Sequence, residues 1–261
     1  MMLLAPKPAQ THSPDACCAR PLFRSSLPYG SLRTPPALAA YRACRAALAL
    51  LLLAAPVVAQ EASDTWYAER IISGDTPPIV EHLWSKGPKF RAETVIGGHP
   101  ILTLVDGERY ITIDRLSNTG VSIQRSPAAI REDAERSRPF GNEGSILPGA
   151  GGEKVSTERV GGRQCDLYRL TNSEGRQEVC VSQDQARLPL QLRVWRRKSG
   201  KEAVTRYLDW VSGIEIPDDF FEPDSAVKLE QVSHEDYVRR AGEEQIGPAP
   251  PLFRGLLHGT K

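Results

Sequence analysis

Histidine, cysteine and carboxylate side chains are the groups of this chain that could carry catalysis or bind a metal. Four of the five histidines follow residue 59, and they are scattered along the sequence: His82, His99, His234 and His258. None has a second histidine at the four-residue spacing that places two zinc ligands on one helix face. The glycine-rich stretch at 149–156 lacks the Gly-Lys-Ser/Thr ending of a phosphate-binding loop and is typical of a turn. We therefore expect no metal and no cofactor.

A group of carboxylates flanks Phe220 and Phe221: Asp218, Asp219, Glu222 and Asp224. Such a group could form an acid pair or a calcium site. Helix caps and solvated charges explain it better, because the residues surround two aromatics on one helical turn. No nucleophile with a neighbouring base is recognisable. We therefore predict that the protein is not an enzyme and has no catalytic residue.

Cysteine usage indicates a disulfide. Three of the five cysteines lie in the first 59 residues, which leaves Cys165 and Cys180. Each belongs to a strand-like run, and a turn at 171–175 joins the two runs, so the sulfurs can face each other across a hairpin. Two free buried thiols are the alternative interpretation.

The first 59 residues have the order of a secretory leader. Arg42 and Arg45 precede an apolar run at 46–55, and the small-residue end Val57-Val58-Ala59 follows. We predict cleavage after Ala59 and export, with residues 1–41 as a long leader or as sequence upstream of the true start codon. The apolar run is shorter than the roughly 20 residues that a membrane-spanning helix needs.

The remaining 202 residues suit a single domain. They carry 27 basic and 31 acidic residues, a net charge of −4. This mild acidity argues against nucleic acid as a partner.

The elements that would position a binding site are strands. In the stretch 188–197, Leu188, Leu190, Leu192 and Val194 alternate with polar residues, so we expect them on one face of a strand. Ser199-Gly200 predicts a hairpin turn. The returning strand then places Val204, Leu208 and Trp210 on one face. A basic stretch on this hairpin, Arg193 to Lys201, could contact anionic lipid or a partner, or could equally discourage strand pairing at an edge.

The same pattern predicts about eleven antiparallel strands between residues 65 and 210, separated by short turns that leave no room for crossover helices. Ser126 and Pro127 predict a helix that runs to Pro139, followed by a flexible loop at 141–152. A helical turn is expected at 216–224 and a last helix from Ser233. We expect leader residues 1–59, a domain at 60–242 and a mobile tail at 243–261.

This arrangement resembles the superfamily of bacterial periplasmic lipoprotein carriers and receptors, the LolA-like and LolB-like proteins, with relatives such as the N-terminal domain of the sigma-E regulator RseB. The features that carry the resemblance are the signal peptide, the run of about eleven short strands broken by helix and loop, and Trp210 followed by Pro217-Asp218-Asp219-Phe220-Phe221. The resemblance spans residues 64–240 or so. Carriers of this type usually open with a helix, whereas only residues 60–64 precede the first strand here. The family's basic lid residue cannot be assigned among Arg91, Arg125 and Arg131.

The resemblance implies a mainly β (α+β) fold, an unclosed half-barrel of antiparallel strands with a few covering helices and an apolar cavity. We expect a periplasmic, non-enzymatic protein that binds a lipid or lipoprotein acyl chain there. The alternative is a protein-interaction or envelope-sensing module on the same fold, with a periplasmic protein as partner. The predicted cavity residues are large and apolar: Trp66, Phe90, Tyr110, Leu190, Leu192, Val194, Trp210 and Phe221. Phe220 and Phe221 are expected to pack near Trp210 and close one end of the half-barrel.

Overall fold

The structure, a computed structural model, describes residues 64–244 and 246–260. The predicted leader, signal peptide and cleavage site lie outside the described residues. Within the described part of the chain, no helix is long and apolar enough to cross a membrane.

One sheet of twelve strands organises the molecule. Its order is β12-β6-β5-β4-β3-β2-β1-β11-β10-β9-β8-β7, so β12 and β7 form two separate edges and the sheet does not close. This confirms the predicted unclosed half-barrel. The strands are β1 (Thr65–Ser73), β2 (Ile79–Lys86), β3 (Lys89–Ile96), β4 (His99–Asp106), β5 (Arg109–Asp114), β6 (Thr119–Gln124), β7 (Glu153–Val160), β8 (Arg163–Thr171), β9 (Gly175–Ser182), β10 (Pro189–Arg196), β11 (Glu202–Ser212) and β12 (Lys228–Val232).

The twelfth strand corrects the prediction of about eleven antiparallel strands. Strand β12 pairs in parallel with β6, from Lys228 opposite Thr119 to Val232 opposite Ile123. Only Val232 of its five residues is buried. Its sequence lacks the apolar alternation by which a strand is recognised. Backbone pairing with β6 holds it at the edge of the sheet.

The covering helices are short: α1 (Pro127–Asp133), α2 (Glu143–Gly149), α3 (His234–Arg240) and α4 (Arg254–His258), with a 3-10 turn at Asp218–Phe221. The predicted starts of α1 and α3 are confirmed. The Ser126 hydroxyl accepts from the Ala129 amide at 3.1 Å, and the Ser233 hydroxyl accepts from the Asp236 amide at 3.1 Å. Helix α1 ends at Asp133, before the predicted stop at Pro139.

Helix α2 corrects the flexible loop predicted at 141–152. Its Leu147 is buried against Val179 and Val181 of β9. Gly144 lies so close to β9 that a Cβ there would be 2.6 Å from the Arg187 carbonyl oxygen and 3.1 Å from Val181. Tertiary packing, and not local helix propensity, therefore orders a segment that contains Gly144, Pro148 and Gly149.

Two β-bulges overturn the strict alternation predicted for β10 and β11. In β10, Pro189 pairs with Val181 and Gln191 pairs with Cys180, which leaves Leu190 as the extra residue. In β11, the register shifts so that Tyr207 is buried and Leu208 is 50% exposed. The predicted grouping of Leu208 with Trp210 is therefore wrong.

The disulfide between Cys165 and Cys180 is confirmed, with a Cα–Cα distance of 5.4 Å. It joins β8 and β9 and packs with Leu167 and Leu190. These residues alternate with Val179 and Val181, which lie under α2. The disulfide therefore lies on the outer face of the sheet, which we define as the face opposite the helices.

The main core lies on the inner face, which the helices cover. Sheet residues such as Leu83, Phe90 and Tyr110 pack there against covering residues. The C-terminal segment (residues 246–260) supplies part of that cover with apolar side chains, namely Ile246, Phe253, Leu256 and Leu257. This corrects the mobile tail predicted from residue 243: Leu257 is 0% exposed, and burial of this apolar surface offsets the entropy of ordering a Pro- and Gly-rich segment.

Candidate functional site

A cleft with a volume of about 230 Å³ opens on the inner face, between helix α2 and the C-terminal segment. We call it the inner cleft. Its walls combine apolar and charged side chains, the principal ones being Phe140, Ile146, Phe253, Leu256, Arg70 and Glu143. Ile146 is 60% exposed at the rim. The lining thus has the mixture typical of ligand sites, mainly apolar with a few polar groups.

An aromatic stack supports one wall. Phe140 stacks on Trp210 with a centroid distance of 5.6 Å, and Trp210 stacks on Tyr207 at 4.8 Å. Gly141 has φ +69°, and a Cβ there would lie 2.2 Å from the Trp210 ring. Only glycine can take this position without displacing the ring, because φ is positive and there is no space for a side chain. The close approach therefore fixes Phe140 at the edge of the cleft.

Arg138 attaches the segment that contains Phe140 and Gly141 to the sheet. Its guanidinium lies 4.8 Å from the ring centroid of Trp66 and 5.2 Å from that of Trp210. It also donates to the carbonyl oxygens of Phe140 at 3.1 Å and Gly141 at 2.9 Å. Burial lowers the pKa of Arg138 below its ordinary value. The residue therefore stabilises the wall by cation–π contact and backbone hydrogen bonds.

Charged side chains form the floor of the inner cleft. Arg70 donates to Glu81 at 2.5 Å and to the Tyr207 hydroxyl at 3.0 Å. Burial alone lowers the pKa of Arg70, but the neighbouring Tyr207, Glu81 and Glu143 raise it above its ordinary value. Burial, followed by the charge of Glu143, raises the pKa of Tyr207. Arg70 is thus a cation and Tyr207 a neutral hydroxyl at neutral pH.

Glu143, at the start of α2, has an unmet hydrogen-bond acceptor. Its Oε2 atom is buried and has no hydrogen-bond partner among the described residues. Glu143 also lines the inner cleft. Buried carboxylate oxygens are normally paired, so this oxygen marks a destabilising feature of the cleft wall.

The C-terminal segment forms the opposite wall. The Phe253 ring packs edge-on against Phe90 at 4.9 Å, and the Phe253 amide donates to the Tyr110 hydroxyl at 3.1 Å. Burial raises the pKa of Tyr110 to about 12. Arg125 donates through Nε to the Leu256 carbonyl oxygen at 2.6 Å. Its guanidinium also pairs with Asp133 at 2.7 Å. The segment is therefore anchored at several points by buried polar contacts.

The predicted cavity residues do not all meet at one place. Trp66 and Trp210 are partly buried in the inner-face core, whereas Phe90 and Tyr110 are fully buried beneath the C-terminal segment. Leu192 is partly buried under α2. Val194 is half-buried near the end of β10. The bulge turns Leu190 to the outer face, beside the disulfide, and so corrects its predicted place on the face of Leu192.

Phe220 and Phe221 lie on the outer face, so their predicted position near Trp210 is wrong. The Phe220 ring contacts Trp84 at 5.5 Å, and the Arg91 guanidinium lies 4.3 Å from its centroid. Trp84 and Arg91 alternate with the inner-face residues Leu83, Phe90 and Ala92. Phe221 is 1% exposed, within a turn that packs against β3 and β4. Residues 213–217 thus connect β11, whose Trp210 packs on the inner face, to a turn that covers the outer face.

Several residues of the cleft were missed by sequence reasoning: Arg70, Arg138, Phe140, Glu143 and Phe253. Arg70 and Glu143 lack a sequence pattern that marks them, since their roles come from packing between distant elements. Phe253 was recoverable, because it stands with Leu256 and Leu257 at the three- and four-residue spacing of an amphipathic helix. Within residues 64–244 and 246–260, no three metal-binding side chains lie close enough to hold an ion.

Comparison with known proteins gives similarity in fold at low sequence identity. No family model matches the chain, and no curated protein matches it. An uncharacterised conserved protein from Thermus thermophilus is similar over 65% of this chain and 91% of its own, with 11% identity and a TM-score of 0.47. MucB, in a complex with MucA from Pseudomonas aeruginosa, is similar over 64% of this chain and 58% of its own, with 13% identity and a TM-score of 0.40.

A putative outer membrane lipoprotein-sorting protein domain from Vibrio parahaemolyticus is also similar, over 63% of this chain and 92% of its own, with 12% identity and a TM-score of 0.33. All these TM-scores lie below 0.5, and all the identities lie below 25%.

Proposed function

We propose that the protein is an exported, non-enzymatic binding protein that holds an apolar ligand, a lipid or lipoprotein acyl chain, in the inner cleft. The observation that carries the proposal is the cleft itself, an apolar opening at the edge of a large buried aromatic core. Its volume of about 230 Å³ is below the roughly 300–1,000 Å³ of pockets for drug-sized ligands. A narrow ligand such as one acyl chain therefore fits the space better than a ring system.

The energetics favour a chain-like ligand as well. Each methylene that leaves water contributes about 0.8 kcal/mol, so even a partly inserted chain gains several kcal/mol. Arg70 and Glu143 line the cleft, so a polar group at the end of such a chain would meet charged side chains there. The signal-peptide pattern supports a periplasmic location, with the mature chain beginning at Gln60 and one domain following it.

A titration with a fluorescent fatty acid tests the proposal. Wild-type protein should bind the probe, and Ile146→Glu should weaken binding about tenfold, since a charge replaces apolar contact worth about 1.4 kcal/mol at the rim. Leu116→Glu is the matched control, because Leu116 is 64% exposed at the turn after β5. Absence of binding by the wild type, together with no lipid in native mass spectra of protein purified from membranes, would contradict the proposal.

A second candidate is a periplasmic protein-interaction or envelope-sensing module. It is favoured by one observation: the C-terminal segment already covers Phe90 and Tyr110, which leaves less of the inner face for a ligand. A defined protein partner recovered by cross-linking, from a protein that fails to bind the acyl probe, would support this candidate over the first.

A further inference from the structure

A second, larger groove lies at the far end of the sheet, where β9 begins and β10 ends. Its volume is about 640 Å³. Three cations line it, Arg176, Arg196 and Lys198, together with one anion, Glu174, and with Val194 and Trp195. We call it the basic groove. It combines positive charge with an indole ring, and it plays no part in the inner cleft.

Three arginines next to the basic groove are organised by one buried carboxylate. Glu178 of β9 is paired with Arg169 at 2.8 Å, Arg176 at 3.5 Å and Arg193 at 3.9 Å. The strand register explains this, since Glu178 stands opposite both Arg169 on β8 and Arg193 on β10. These residues alternate with the inner-face residue Val179, so the cluster lies on the outer face.

The cluster retains unused binding capacity. The Glu178 side chain is 5% exposed, whereas the three arginine side chains are 43–44% exposed. Each guanidinium has five N–H donors, and one carboxylate cannot accept from fifteen. Glu178 therefore holds the three arginines together and neutralises one positive charge, and their half-exposed guanidinium groups keep donors that can bind oxyanions.

The positive charge is concentrated in a chain that is expected to be acidic overall. Arg196 and Lys198, at the tip of the β10–β11 hairpin, have no ion-pair partner among the described residues within 4.0 Å, whereas Lys201 pairs with Asp75 at 3.5 Å. A negatively charged surface would attract this basic end and repel the rest of a mature chain of net negative charge, so the hairpin tip would face that surface.

We propose that the basic groove and the adjoining arginine cluster dock the protein on an anionic phospholipid membrane. Arg176, Arg193 and the neighbouring cations would hold headgroup phosphates, which guanidinium groups bind in a bidentate manner. Trp195 is half-buried in the groove and would lie at the glycerol level, where tryptophan is enriched in membrane proteins. An acidic peptide would satisfy the charge but would not explain the indole ring of Trp195, which stands opposite Arg176 on the same face as the arginine cluster. The arginine cluster and Trp195 lie on the outer face, and the basic groove shares no lining residue with the inner cleft, so the proposal stands independently of acyl-chain binding.

Sedimentation with lipid vesicles tests the proposal on the mature protein. Wild-type protein should bind vesicles that contain phosphatidylglycerol, should not bind pure phosphatidylcholine vesicles, and should lose binding as salt is raised. The test variant is Arg176→Gln/Arg196→Gln/Lys198→Gln, which retains the 2.8 Å Arg169–Glu178 pair. Each cation near an anionic surface contributes a factor of about five, so the variant should bind roughly 100-fold more weakly.

The matched control removes three exposed cations from the opposite half of the sheet, in Arg115→Gln/Lys228→Gln/Arg239→Gln. It should bind as the wild type does. Circular dichroism melting shows whether both triple variants are folded, and Trp195→Ala, which removes no charge, should weaken binding on its own.

Three results would overturn the proposal. The first is equal binding of the wild type to neutral and anionic vesicles. The second is an equal loss of binding in the control variant. The third is binding of polyglutamate or soluble glycerol phosphate by the wild type without any binding to anionic vesicles, which would assign the surface to an acidic protein or to a free phosphate. The acyl-probe titration on the same variants is unaffected by these outcomes, so the two proposals can fail separately.

Discussion

Truncation of Leu257 to alanine measures whether the C-terminal segment is part of the folded core. Leu257 is 0% exposed and belongs to the inner-face cluster with Val121, Ile123 and Leu256. Removal of a fully buried leucine side chain costs about 2–5 kcal/mol, because apolar surface is lost and a cavity remains. We expect a value near 3 kcal/mol, since α4 is a short surface helix that can partly collapse onto the space.

The assay is thermal and urea unfolding of the mature, disulfide-bonded protein. For a domain of about 200 residues, each kcal/mol shifts Tm by about 2–4 °C, so Leu257→Ala should lower Tm by about 6–12 °C. Leu116→Ala is the control, because the Leu116 side chain is 64% exposed. Its free energy of unfolding should change by less than about 0.5 kcal/mol.

Equal unfolding curves for Leu257→Ala and Leu116→Ala would refute the reasoning. That result would mean that residues 246–260 do not contribute to the cooperative unit, as a mobile tail would not. Amide hydrogen exchange gives a second reading: the Phe253 amide, bonded to the Tyr110 hydroxyl at 3.1 Å, should be protected in the wild type and lose protection in Leu257→Ala.

Two further predictions concern Phe221 and His258. Phe221→Ala should cost about 3–5 kcal/mol in unfolding free energy, because Phe221 is 1% exposed. Phe220→Ala should cost less, since Phe220 is half-buried and lies over Arg91. A negligible effect of Phe221→Ala would show that the turn is only a surface tether. His258 should make the protein less stable in acid. Burial, followed by the charges of His234 and Arg254, holds the pKa of His258 below its ordinary 6.5 in the folded protein. The unfolded chain therefore takes up a proton first, and the stability that is present above pH 6.5 is lost as the pH falls from 6.5 toward the folded pKa. The Tm difference between pH 7.5 and pH 5.5 should shrink in His258→Gln, and an unchanged difference would contradict this.

The fold was largely predictable, because strand periodicity and turn residues are local properties of the sequence. Asp106-Gly107 and Ser199-Gly200 stand at real turns, and the cap residues Ser126 and Ser233 begin real helices. The elements that were not predicted depend on contacts between segments that are distant in the sequence. Strand β12 depends on pairing with β6 in parallel, and α2 depends on the fit of Gly144 against β9. Neither the pairing with β6 nor the packing against β9 can be recognised from the sequence of β12 or α2 alone.

The candidate site was less predictable than the fold, and the bulges explain why. A single extra residue at Leu190 reverses which face its neighbours occupy, so four residues that alternate in the sequence do not share a face in the sheet. The register change in β11 likewise replaces Leu208 by Tyr207 in the core. Trp66 and Trp210, which were predicted to line the cavity, are both inner-face residues packed on the core, whereas the aromatics Trp84 and Phe220 lie on the outer face.

The balance between the C-terminal segment and a ligand links the two candidate functions. Four apolar side chains of the segment are buried or partly buried on the inner face: Ile246, Phe253, Leu256 and Leu257. At about 1.5–3 kcal/mol each, their burial contributes roughly 6–12 kcal/mol, which equals that of some 8–15 methylenes of an acyl chain. One chain of fatty-acid length could therefore replace the segment at nearly constant free energy. On the proposed acyl-binding function, such a chain would compete with residues 246–260 for the inner-face surface that the segment covers at Phe90 and Tyr110.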